Sequence, residues 1–190
     1  MTDPRRAAVR TLLLAHAPAD DQEASFVQEM LALCEAEGDP FARDHFAPGH
    51  FTASAFVSDN AGARILLVHH GKLHRWLQPG GHFEPTDPDV WAACQREVAE
   101  ETGLADVTLA DGHRLLDVDI HEIPSLRGDP PHRHYDLRVH LRCNDPEAEA
   151  VAGSDARAVR WVPLRGDPEA VLGGESDESV LRALRRLARA

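Results

Sequence analysis

Cysteine is scarce and unpaired in this chain: Cys34, Cys94 and Cys143 lie far apart, and no C-x-x-C spacing occurs. A disulfide framework and a zinc knuckle are thereby not indicated. Positive charge is also short. Lys and Arg number 20 against 32 Asp and Glu, a formal net charge of −12. Such a balance disfavours non-specific binding to nucleic acid or to an anionic membrane, which needs an excess of cations. Long hydrophobic runs are missing as well. The N-terminal stretch offers only Leu12 to Leu14 in succession, and acids follow where a signal cleavage site would fall, so neither a membrane span nor a secretory leader is expected. The protein reads as cytoplasmic, with no membrane partner.

What is present suffices for one well-buried domain and is short for two: 190 residues, 43% of them hydrophobic. The expected organisation is an N-terminal helical extension over residues 1–48 and a main domain over 49–190. In the extension, Pro4 to Ala17 and Asp20 to Glu37 read as helices. Asp20 and Glu23 form a capping box, Phe26, Met30, Leu33 and Cys34 an apolar stripe, and Gly38 with Pro40 the stop. This pair of helices suits a lid, a homodimer contact or simple packing, and packing is the default. Beyond it, Phe51 to Val57 and Ala63 to His69 read as a β-hairpin, with a short strand within Leu73 to Gln78.

The stretch from Gly80 to Leu104 concentrates acids. After a Pro79-Gly80-Gly81 turn, Asp87 is a suitable N-cap and Pro88 a suitable first helical residue; Gly103 suits the C-terminal stop. On such a helix Glu97, Glu100 and Glu101 stand at i, i+3 and i+4, so their carboxylates leave one side within a single turn and repel one another. Arg96 neutralises part of that charge. Hard oxygen donors in this number suit Mg²⁺ or Mn²⁺. The plain alternative is a solvated acidic helix face.

Against the plain alternative stands the pattern itself. Arg96 to Leu104, R-E-V-A-E-E-T-G-L, follows G-G-H-F-E at Gly80 to Glu84, and together they resemble the Nudix hydrolase signature, G-x5-E-x7-R-E-U-x-E-E-x-G-U with U aliphatic. The C-terminal half matches at every specified position. In the N-terminal half one residue is inserted: six beyond Gly81 comes Asp87 in place of Glu, and eight residues separate it from Arg96. The extra residue is expected in the loop or at the helix cap, with the acidic turn intact, and Asp87 or Asp89 as stand-in for the missing first acid.

Two later segments, Arg114 to Pro124 and His132 to Arg142, read as strands of period two. Asp117, Asp119 and His121 oppose Val118 and Ile120; His132, His134, Asp136, Arg138 and His140 alternate with Tyr135, Leu137, Val139 and Leu141. Paired antiparallel, they combine into a field of His, Asp and Arg able to line a cleft. Arg138 then suits phosphate, His121 and His134 a base or sugar, and Asp136 an attacking water. No spacing among these histidines demands a second metal site. The chain closes with a strand at Ala158 to Pro163 and an amphipathic helix over Asp177 to Ala190.

The resemblance implies an α/β/α sandwich with a mixed sheet and hydrolysis of a phosphoanhydride in a nucleoside diphosphate linked to another group. It implies Mg²⁺ or Mn²⁺ held by Glu97, Glu100, Glu101 and the backbone at Gly81, with Glu97 receiving the proton of water and Arg96 holding the acids in place. The partner implied is a small phosphorylated molecule of nucleotide type. Two other functions occur on this superfold: sensing a nucleotide without cleaving it, and isomerising a small diphosphate.

Overall fold

A computed structural model describes residues 3–125, 128–145, 147–153, 156–172 and 174–189. The elements are α1 (Pro4–Ala15), α2 (Asp21–Glu35), β1 (Gly49–Ser58), β2 (Arg64–His70), β3 (Arg75–Leu77), β4 (Gly80–His82), α3 (Val90–Thr102), β5 (Val107–Leu109), β6 (Asp117–Ile123), β7 (His132–Cys143), β8 (Ala156–Pro163), α4 (Pro168–Leu172) and α5 (Glu178–Leu187). The strands order as β3-β2-β1-β7-β5, with β4 on β1, β6 on β7 and β8 on β2. Sheet plus helices is the class the sequence implied. By packing the chain forms two compact units, Met1–Ser54 with Gly81–Ala93 and His113–Val139, and Ala55–Gly80 with Cys94–Gly112 and His140–Ala190.

In the first unit the helix starts follow their caps. Asp3 accepts the Arg5 N–H at 2.8 Å and Asp20 accepts the Glu23 N–H at 2.8 Å. Glu23 does more than close a capping box. It is fully buried, accepts hydrogen bonds from the Ala19 and Val118 N–H groups, and lies 2.7 Å from His16 Nε2. The stripe of α2 is rotated from expectation: Val27, Met30, Leu33 and Cys34 are buried, whereas Phe26 is half-exposed. The reason is phase, since Glu23, Val27, Met30 and Cys34 follow one another at i, i+4, i+7 and i+11 and carry a single helix face. Phe41 packs with Phe51 and Phe83 at ring separations of 5.4 and 5.0 Å.

The β6–β7 hairpin has the alternation read from sequence, pairing Asp117 with Arg138, Asp119 with Asp136 and His121 with His134. Its polar face, however, is buried at the inner end. Arg138 is 2% exposed and reaches Asp117 at 3.1 Å, Asp119 at 3.3 Å and Asp136 at 2.9 Å. Asp136 also accepts from the hydroxyls of Thr52 at 3.1 Å and Ser54 at 2.8 Å on β1. Burial alone would lower the Arg138 pKa, but Asp136, Asp119 and Asp117 outweigh it and hold the group above its ordinary value. Gly49 opens β1 at φ 149°, and a Cβ there would stand 1.9 Å from the Arg133 carbonyl oxygen.

In the second unit β2 pairs with β1 through Val57–Leu66 and Ser58–Ile65, and with β8 from Arg64–Pro163 to His70–Ala156. Helix α5 buries Val180, Leu181, Ala183, Leu184 and Leu187, the face that the sequence pattern marks. The short elements β4 and α4 lie where only turns and a crossing were expected. Cys34, Cys94 and Cys143 are buried and joined in no disulfide, and no helix among the described residues is long and apolar enough to cross a membrane.

Two substitutions test this packing. Arg138→Ala should destabilise the fold by about 3–5 kcal/mol, because three buried carboxylates lose a shared cation. Gly49→Ala should cost about 2–4 kcal/mol through backbone strain and collision with β7. Urea unfolding followed by circular dichroism measures both, and near-native midpoints would show that these contacts are dispensable.

Candidate active site

The acidic turn is carried by α3, and the helix begins later than the sequence suggested. Asp89 is the cap, accepting the Ala92 N–H at 2.9 Å. Asp87, expected in that role, is buried and closes the preceding turn instead: its carboxylate accepts the Glu84 N–H at 2.8 Å and its own N–H donates to the Glu84 carbonyl at 3.0 Å. Two consecutive Asp-Pro and Asp-Val steps offer two capping carboxylates. The one nearer the apolar run Val90 to Ala93 wins, because Val90 and Ala93 are buried and fix where the first turn must lie. The loop thereby absorbs the extra residue, and α3 is unbroken from Val90 to Thr102.

Within that helix Arg96 Nη1 lies 2.9 Å from Glu97 Oε1 and 3.3 Å from Glu100 Oε2. The Glu97 side chain is 13% exposed and that of Glu100 56%. Glu101 accepts the N–H of Gly80, the glycine beside the expected Gly81, at 3.0 Å. The helix ends at Gly103, φ 73°, whose N–H donates to Ala99 at 3.0 Å. The last carbonyls are met from residues that sequence reasoning passed over: Val151 N–H donates to Thr102 at 2.9 Å and Gly153 N–H to Glu101 at 2.8 Å. A Cβ on Gly153 would stand 2.3 Å from the Glu100 carbonyl oxygen, which is why a bare backbone runs there.

These carboxylates are donors of the right chemistry for a hard divalent cation, being oxygen-only and gathered on one turn. They do not converge on a single point. Among the described residues, the one set of three or more potential ligand atoms lying mutually within 4.8 Å is His50, His82 and His134. Of this set only His134 was singled out from sequence. His50 and His82 stand far away along the chain, and nothing but the pairing of strands brings them together.

The expected substrate residues divide by depth. His121 is exposed and sits 3.3 Å from Asp119. His134 is half-buried and ringed by imidazoles, with His50, His82, His121 and His132 at centroid separations of 4.8, 5.0, 5.3 and 5.3 Å. Asp136 and Arg138 belong to the buried ion cluster. Gly81 occupies the middle of β4. Burial is the main force on the central rings: it pushes His50 down to about 4, with help from His82, and His82 down to about 4, with help from Arg43 and His132. His134 falls to about 2, by burial first and then by its four histidine neighbours. All three are neutral at physiological pH.

Several solved structures share this fold. A hydrolase of the NUDIX family from Clostridium perfringens is 26% identical, with 73% of this chain and 95% of that one covered at a TM-score of 0.51. The E. coli dihydroneopterin triphosphate pyrophosphohydrolase is 17% identical over 74% and 96% of the two chains, TM-score 0.55. The C. elegans Ap4A hydrolase, in a binary complex, is 19% identical over 73% and 95%, TM-score 0.53. A search of curated proteins found no match. The family model for the NUDIX domain matches residues 48–184, most of the chain and all of the acidic turn, and so the chain belongs to the NUDIX domain family.

Proposed function

We propose that this chain cleaves the phosphoanhydride bond of a nucleoside diphosphate linked to a second group, with Mg²⁺ or Mn²⁺ required. The observation that carries the reading is the signature turn held as one helical surface: Arg96 against Glu97 and Glu100, and Glu101 against the Gly80 backbone. Glu97, Glu100, Glu101 and the backbone at Gly81 would hold the cation. When bound, it neutralises phosphate charge and lowers the pKa of a coordinated water.

The remaining roles belong to this chain's own groups. Glu97, mostly buried, would accept the proton that water loses as its oxygen attacks phosphorus and the bridging P–O bond breaks. Arg96 keeps Glu97 and Glu100 from swinging apart, a positioning task. On the hairpin, the exposed His121 would orient a base or sugar, with the half-buried His134 beside it. Arg138, closed off among its aspartates, supports Asp136 and the strand pair. The substrate is a small phosphorylated molecule of nucleotide type, as the names of the similar proteins, Ap4A hydrolase and dihydroneopterin triphosphate pyrophosphohydrolase, also suggest for a first panel.

A panel of nucleoside triphosphates, nucleotide sugars, dinucleoside polyphosphates and ADP-ribose, assayed with Mg²⁺ and with Mn²⁺, tests the reading. At least one should be hydrolysed, and no turnover of any would overturn it. On the best substrate, Glu100→Gln and Glu101→Gln should each lower kcat by about 100-fold or more, with circular dichroism unchanged, since the amide keeps the shape and removes the charge. Gly153→Ala should lower both the melting temperature and kcat, as its new methyl displaces the carbonyl at Glu100; wild-type values for both would free the helix from that support.

A further inference from the structure

We propose that His50, His82 and His134 form a binding site for one divalent transition-metal ion of the zinc type, distinct in donor chemistry from the carboxylates of α3. The inference goes beyond the hydrolase reading and does not depend on it.

Three strands supply the three rings: His50 from β1, His82 from β4 and His134 from β7, with potential ligand atoms all within 4.8 Å of one another. Zinc–imidazole bonds of about 2.0–2.1 Å in a tetrahedron set nitrogen–nitrogen distances near 3.4 Å, so rotations of the order of an ångström at the side chains close the site. The backbone beneath is fixed, for Gly49 brings β1 so near β7 that a Cβ would collide with the Arg133 carbonyl at 1.9 Å.

Two ring nitrogens point to a missing partner. His50 is fully buried, and its Nδ1 lies 3.3 Å from the His45 carbonyl oxygen. Only a protonated Nδ1 donates there, which leaves a lone pair on Nε2. That Nε2 is buried and has no hydrogen-bond partner, and neither has the buried Nε2 of His134, whose ring is 4.8 Å away. A buried polar atom without a partner is costly, and an electron-pair acceptor bound between the two rings would relieve both. The carbonyl behind His50 is also the usual outer support of a metal-bound imidazole, fixing its tautomer and orientation. His132 stacks on His50 at 5.1 Å, and water is available for a fourth position. With no carboxylate in the set, nitrogen donors favour Zn²⁺, Co²⁺ or Ni²⁺ over Mg²⁺ and Mn²⁺.

The test uses the full chain made without a histidine tag, stripped by chelator and titrated with Zn²⁺ or Co²⁺ in millimolar Mg²⁺. One equivalent of zinc should remain after gel filtration, and Co²⁺ should develop visible absorption bands of a low-symmetry nitrogen site. His134→Gln and His50→Gln should weaken zinc binding by at least the ~100-fold that losing an outer support can cost, while Glu100→Gln and Glu101→Gln keep it. Should His50→Gln fail to fold, the half-buried His134 and His82 carry the comparison through their own glutamine variants. Zinc that washes off, that Mg²⁺ displaces, or that the His134 and His82 variants retain in full would overturn the proposal and leave a pocket of neutral imidazoles. A negative substrate panel bears on the hydrolase reading alone, because zinc retention is read without substrate.

Discussion

Crowded carboxylates need a cation within reach, and this constraint governs both places where the chain concentrates its acids. In the first unit Asp117, Asp119 and Asp136 converge from two strands on Arg138, and all four are buried. Three negative charges around one positive charge leave an excess that the hydroxyls of Thr52 and Ser54 help to meet at Asp136. In the second unit Glu97 and Glu100 share Arg96, and Glu101 takes a backbone N–H. The two solutions differ in solvation. Arg138 is sealed and serves the fold, whereas Glu100 is more than half exposed and remains open to charge from outside. A protein with so marked an acidic balance thus uses one kind of residue, arginine, for architecture in one place and for the acidic signature turn in the other.

Much of this was legible in the sequence because it is local. Helix caps, the β1–β2 and β6–β7 hairpins, the stop at Gly103 and the apolar face of α5 each follow from residues a few positions apart. The alternation along β6 and β7 was also read with the right phase. What period two cannot tell is whether the polar side meets water or meets another polar side, and here Asp119 and Arg138 face each other in the interior. The choice between Asp87 and Asp89 turned on which start let Val90 and Ala93 reach the core, a tertiary fact. The same holds for Val27 displacing Phe26 on α2.

The imidazole set shows the limit most plainly. His82 directly follows the signature glycines, His50 is the second residue of β1, and His134 lies near the start of the histidine-rich β7; no spacing links them. A metal motif with ligands on one helix or one turn advertises itself by period, but one assembled from three strands is visible only after the sheet has formed. The support that Gly153 gives to the last turn of α3 is silent in the same way, since a glycine in a loop has many bland explanations and only the 2.3 Å approach to Glu100 singles this one out.

The family segment begins at residue 48, yet the folding unit does not. Glu23, buried on α2, gives the β6 backbone at Val118 an acceptor, and Glu29 pairs with Arg133 of β7 at 2.6 Å. The first helices therefore act as a wall of the hairpin, closing an interior polar group that the shared domain by itself would present to solvent. Boundaries drawn by ancestry and boundaries drawn by cooperativity diverge here by more than forty residues, and a trimmed version beginning at the ancestral one would be a different thermodynamic object, even with every residue of the acidic turn intact.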